Sequence, residues 1–223
     1  MTFPRLRWVL FVRSLVAVEE HPPAQVFRLL GRFLAQHDQE AVFLEERGNP
    51  LTVQALRRRG AAALRELATA WPELRYHTVE HRTGADLVEW LGRTLATADL
   101  ALVELGVDEN LAYWVGQLTR PHLHTILVDL LPDVPELEAL RRRLDPSPFT
   151  AVICHPINVP AYRGRISARR IVVVEGPPER LAAAIAEATI AALLQAAEDL
   201  RVISTDENGS GPAPSQRANG GSG

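Results

Sequence analysis

The chain has 223 residues, 47% hydrophobic and 23% charged, which is enough apolar surface for a full core and reads as a soluble globular protein. A formal net charge of -3 lacks the basic footprint of a general nucleic-acid binder. All 24 basic residues are arginine, which excludes phosphate-loop lysine and Schiff-base chemistry, and the single cysteine, Cys154, excludes internal disulfides and multi-cysteine zinc centres.

No apolar run approaches the roughly 20 residues that span a bilayer, and Met1 to Ser14 carries arginines too early for a secretory signal. The expectation is a cytoplasmic protein without membrane contact. In chain order, Leu6 to Val12 reads as a first strand. Pro22-Pro23 then opens a helix with Val26, Leu29, Leu30, Phe33 and Leu34 on one face. A short strand, Ala41 to Glu45, leads through Arg47-Gly48-Asn49-Pro50 to Thr52, read as the N-cap of one long helix reaching about Trp71. The Arg57-Arg58-Arg59 run on that helix reads as a solvated face. Arg75 to Glu80 alternates as a third strand, and Thr83-Gly84 turns into a helix carrying Leu87, Trp90, Leu91 and Leu95.

Leu100 to Leu105 is a near-continuous apolar run, the signature of a strand covered on both faces of a parallel sheet. Asp108 can cap a following helix with Leu111, Val115 and Leu118 at helical spacing, and Thr125 to Leu130 repeats the strand signal. A helix from Pro135 to Leu144, a Pro-Ser break and a strand from Thr150 to Cys154 come next. His155 to Arg169 is a long irregular excursion, of the kind that serves as a lid or partner surface. Ile171 to Val174 is the last strand, and an alanine-rich helix runs from Leu181 to about Leu200. The expectation is one three-layer α/β, Rossmann-like domain over residues 1–200, with a mostly parallel sheet of five to seven strands. Residues 201–223, rich in Gly, Ser and Pro, read as a disordered tail or linker.

Ligands of such sheets sit outside the carboxyl ends of the strands. Glu45, Glu80, Glu104, Asp129 and Glu175 all fall near predicted strand ends. Acids there favour the positive ends of the following helices; as a group they could also line one mouth and accept hydrogen bonds from ribose hydroxyls. No glycine-rich phosphate loop accompanies them, so a phosphate would need an arginine to hold it. Two other clusters are weak. His122 and His124 lack a visible third metal ligand, and Cys154-His155 point to opposite sides of a strand. Tyr113 and Trp114 lie about 100° apart on a helix, so at most one is expected to face the sheet.

The stretch Gly84 to Val128, with Ala98-Asp99-Leu100, Glu104, Asn110-Leu111-Ala112-Tyr113 and Gly116, resembles the nucleoside 2-deoxyribosyltransferase and TIR-like superfamily. The resemblance implies a nucleoside-type crevice using Glu80, Glu104, Gly106, Asn110 and Tyr113. Trp114 stands where that family places its glutamate, so catalysis is expected to be lost. Arg75 to Gly106 is also similar to universal stress proteins, but Gly106 and Gly116 are followed by Val107 and Gln117 rather than the Ser or Thr of their ATP motif. The combined expectation is a non-catalytic ligand-sensing or scaffolding module, regulatory or signalling in role. It needs no cofactor or metal, takes a nucleoside or nucleotide, and forms a homodimer or engages a protein partner. The alternatives are an N-glycosidase or deoxyribosyltransferase acting through Glu104 or Glu109 on nucleosides or NAD, and a pure protein-interaction domain.

Overall fold

The computed structural model describes residues 4–118, 120–132 and 134–209, residues 197–209 through their backbone alone. Seven strands form one sheet: β1 (Arg7–Phe11), β2 (Glu40–Glu46), β3 (Arg75–Val79), β4 (Leu100–Glu104), β5 (His124–Asp129), β6 (Ala151–Cys154) and β7 (Ile171–Val173). Their order is β3-β2-β1-β4-β5-β6-β7 and every neighbouring pair is parallel, as the sequence leads one to expect of a Rossmann-like fold. The helices are α1 (Pro23–Gln36), α2 (Pro50–Arg59), α3 (Ala62–Ala70), α4 (Gly84–Thr94), α5 (Glu109–Gln117), α6 (Pro135–Arg143), α7 (Val159–Tyr162) and α8 (Pro178–Gly209).

Parallel strands need crossovers, and right-handed crossovers fix which face each helix covers. The chain first steps outward from β1 to β2 and β3, putting α1, α2 and α3 on one face, where Trp8, Leu10, Phe27, Leu30 and Phe43 share a core with Ile185 and Ala186 of α8. Past the return to β4 it steps the other way, so α4, α5 and α6 cover the opposite face around Leu91, Val103, Val115, Leu127 and Phe149. The direction reverses between β1 and β4, the topological switch point of the sheet. All five residues of β4 are buried, which is why the strand reads as apolar from Leu100 to Val103.

Three local expectations differ from the structure. The helix expected from Thr52 to Trp71 is two helices, because Gly60 ends α2 at φ +60 while its N–H still reaches the Leu56 carbonyl at 2.8 Å. The N-cap is Asn49, whose side chain accepts from Leu51 N at 2.9 Å with Pro50 just inside the helix, so Thr52 lies in the first turn. At the other end, α8 continues past Leu200 to Gly209, and the rest of the expected tail lies outside the described residues. Among the described residues no helix is long and apolar enough to cross a membrane.

Candidate functional site

Side chains alternate between the two faces of a strand, so the acids at the strand ends are sorted by parity. Glu45 and Glu104 point to the α1 side and are 1% and 3% exposed, while Asp129, also 1% exposed, points to the α6 side. Glu80 and Glu175 follow β3 and β7, the two edges of the sheet, which are separated by six strand spacings or roughly 29 Å. The acids expected to line one mouth therefore form no single site.

Glu45 and Glu104 are held by the segment between β1 and α1, which folds down over the switch point. Oε2 of Glu104 accepts from Arg13 N at 2.7 Å, and Nε2 of the buried His21 lies 2.5 Å from Oε1, off the angle of a straight hydrogen bond. Glu45 accepts from Leu15 N at 3.2 Å, from the Tyr76 hydroxyl at 2.9 Å and from the Thr52 hydroxyl. Burial pushes the Glu45 carboxyl up in pKa, its three donors oppose the shift, and the nearby Glu104 charge adds to it. With the Thr52 proton given to Glu45, Ser14 is the donor in its 2.6 Å contact with Thr52, and Ser14 Oγ accepts from Val16 N and Ala17 N at 3.1 Å each. From α1, the buried Arg28 donates to the Leu15 carbonyl at 2.7 Å. Leu15, Val16 and Ala17 are fully buried. Main-chain donors that wrap a phosphate in dinucleotide-binding folds are here consumed by the protein itself.

A second internal network closes the far side. The Arg141 guanidinium from α6 meets Asp129 with both arms, Nε to Oδ2 at 2.7 Å and Nη2 to Oδ1 at 2.9 Å, and also reaches the Leu131 carbonyl. The Tyr162 hydroxyl donates to Asp129 Oδ2 at 2.8 Å, and Asn158 Nδ2 donates to the carbonyls of Asp129 and Leu131 at 3.2 Å each. These bonds tie the 155–169 excursion to the sheet, and Arg165 fastens it to the Leu144 carbonyl at 2.6 Å. The segment holds α7 between two short 3-10 turns and forms a fitted cover over β5 and β6. Cys154, beneath it, is fully buried, and burial together with the Asp129 charge pushes its thiol up to about 12.

An open cleft of about 200 Å³ lies over the carboxyl ends of β1, β2 and β4. Phe11, Leu44, Val79 and Val107 give it an apolar floor, and Glu46, Asn49, Gly106 and Asp108 give it a polar rim. A small annex with Trp90 and Arg82 adjoins it, sharing Glu46, Val79, Asp108 and Leu111. Each rim acid already has one engagement. Glu46 Oε1 lies 2.9 Å from His81 Nδ1, and Asp108 caps α5 by accepting from Leu111 N at 2.9 Å. Glu80, in the annex, pairs with Arg47.

Of the residues singled out by sequence, Gly106 lines the cleft and Glu80 its annex, whereas Glu104 is turned inward beneath the β1–α1 segment. Asn110 is exposed in the first turn of α5 and is not among the cleft residues. Tyr113 and Trp114 are 45% and 36% exposed and pack edge to face, ring centroids 5.2 Å apart, so neither covers the sheet. The helix contacts the core through Ala112, Val115 and Gly116 instead. Glu46, Asn49 and Asp108 are rim residues that the sequence does not single out as ligand-binding; for Glu46 the signal is the alternation one residue beyond Glu45. Among the described residues no group of three His, Cys, Asp or Glu side chains is arranged to hold a metal ion. No protein-family model matches the chain, and no curated protein matches it.

Proposed function

We propose that this protein is a non-catalytic sensing module whose cleft takes a nucleoside-type ligand. The observation that carries the reading is Glu46. It stands at the carboxyl end of β2, beside the switch point, where Rossmann-like sheets place the acid that bonds ribose hydroxyls. One of its oxygens meets His81, leaving the other to accept from a diol, and the apolar floor suits the flat face of a base. At about 200 Å³ the cleft is below the roughly 300 Å³ where small-molecule pockets begin, which fits part of a nucleoside rather than a dinucleotide.

The carboxylates are placed against catalysis. Glu104, the candidate nucleophile of the glycosidase alternative, is buried and bonded to the β1–α1 segment, and Glu109 pairs outside with Arg143 at 2.8 Å. Trp114, at the position of the glutamate in the resembled family, lies on the outer side of α5. The test is a thermal-shift panel of ribonucleosides, 2'-deoxynucleosides and free bases, run beside an assay for base release from NAD and deoxynucleosides. Stabilisation by ribonucleosides that is weaker for the deoxy series and lost in Glu46→Gln supports the proposal. Stabilisation indifferent to the 2'-hydroxyl and to Glu46, or base release that disappears in Glu104→Gln, overturns it.

A second reading, a protein-interaction domain, is favoured by the Tyr113–Trp114 pair, since exposed aromatic side chains are enriched among interface anchors. It predicts that no nucleoside stabilises the fold and that Trp114→Ala changes self-association in sedimentation.

A further inference from the structure

The proposed ligand would lie close to Arg13, an arginine whose side chain has no acceptor among the described residues. Arg13 follows β1 at the switch point, half-buried, and its Nε is sealed from solvent without a hydrogen-bond partner. No carboxylate among the described residues pairs with its guanidinium, although Glu104 is near enough to bond its main-chain N–H at 2.7 Å. Buried and half-buried arginines elsewhere bond to the protein: Arg28 to Leu15, Arg141 to Asp129, Arg165 to Leu144. A buried donor without an acceptor is costly, and an anionic ligand would supply the acceptor this one lacks.

The neighbourhood is shaped around this side chain. Gly106 lines the cleft with φ +98, and a Cβ there would come within 2.9 Å of Arg13 Cδ, 3.0 Å of Arg13 Nε and 2.7 Å of Leu137 Cδ2. Only glycine leaves room for the arginine stem beside the cleft wall. Most of the surrounding backbone is already engaged, because the N–H groups of Val12, Arg13, Leu15, Val16 and Ala17 have internal acceptors. The side chain of Arg13 is the charged donor that this loop leaves without an acceptor. Glu104 accepts from the main-chain N–H of Arg13, and its other oxygen lies 2.5 Å from His21 Nε2.

We infer that Arg13 forms an anion subsite at the Gly106 end of the cleft and that the ligand is a nucleoside 5'-monophosphate, its diol at Glu46 and its phosphate on the Arg13 guanidinium. The inference rests on the nucleoside reading for the diol end, but its own evidence is the unpaired arginine and the glycine that seats it. Arginine is the side chain suited to the task, since its planar fork meets phosphate oxygens in pairs.

The test compares each ribonucleoside with its 5'-monophosphate by isothermal titration in phosphate-free, low-salt buffer, and adds inorganic phosphate as a third probe. In the wild type the monophosphate should bind at least about tenfold more tightly than the nucleoside, equivalent to about 1.4 kcal/mol. Arg13→Gln should erase that advantage and leave nucleoside affinity unchanged, with Arg13→Lys restoring part of it. A wild type that binds nucleosides but gains nothing from the phosphate, or an Arg13→Gln protein that keeps the gain, overturns the inference while the nucleoside reading stands. Should no nucleoside bind, that reading falls and inorganic phosphate decides alone. Stabilisation of the wild type but not of Arg13→Gln upholds the anion subsite, and equal or no stabilisation ends it.

Discussion

Replacing Arg141 by leucine tests whether the cover over β5 and β6 is held by its buried ion pair. Arg141 and Asp129 side chains are 2% and 0% exposed, so the substitution leaves a carboxylate in the interior with the Tyr162 hydroxyl as its remaining side-chain donor. Burial alone would lower the Arg141 pKa, but the hydrogen bonds and charge of Asp129 raise it, so the cation is firmly kept. Removing one partner of such a pair typically costs about 3–5 kcal/mol. With a urea m-value of about 2 kcal/mol/M, the unfolding midpoint should fall by about 1.5–2.5 M, followed by tryptophan fluorescence. Asp129→Asn in the same background should recover part of the loss, with a coupling of about 1–3 kcal/mol in the double-mutant cycle. A midpoint shift below about 0.5 M, or strict additivity, would refute the claim that this pair fastens the excursion to the sheet.

Three further outcomes follow from single environments. Glu45 is an acid whose folded pKa is raised above its ordinary 4.5, so its contribution is greatest below that value and declines as pH rises through the folded pKa. Urea midpoints of Glu45→Gln measured upward from about pH 4 should therefore fall less steeply than those of the wild type. Cys154, with its thiol pushed up to about 12, should resist a thiol-specific disulfide reagent at pH 8 in the native protein and react at once in urea. Asn49→Ala should cost about 1 kcal/mol through loss of the α2 cap, and a cost near zero in thermal unfolding would remove that bond from the account.

The parallel sheet was legible because central strands buried on both faces leave runs such as Leu100–Glu104 that few other structures require. The break at Gly60 was not, since Leu56, Ala63 and Leu67 all face the same core and hide the interruption. Gly106 could be placed at the cleft from its position after β4. The burial of Glu104 could not be foreseen, because its partner is the backbone of Arg13, 91 residues earlier in the chain. The outward position of both Tyr113 and Trp114 likewise depends on which stripe of α5 docks. Here a narrow one of small residues does, with Gly116 so close to the Phe149 ring that a Cβ would lie 3.0 Å from it. Helical period gives the angle between two side chains, not the direction of the core.

The β1–α1 segment decides where this fold can bind anything. In a dinucleotide site glycines let the loop stand away from the sheet and turn its N–H groups toward a pyrophosphate. Here Ser14, Leu15, Val16 and Ala17 pack inward instead, and the N–H groups of Arg13, Leu15, Val16 and Ala17 meet oxygens of Glu104, Glu45 and Ser14. Two buried carboxylates thus occupy the role of the phosphate and hold the loop shut. The open space is displaced toward β2, where Glu46 faces the other side of the sheet from Glu45, and toward Gly106, where Arg13 is seated. A sheet with the topology of a dinucleotide fold therefore presents a small, acid-rimmed cleft over the ends of β2 and β4 in place of an open pyrophosphate loop.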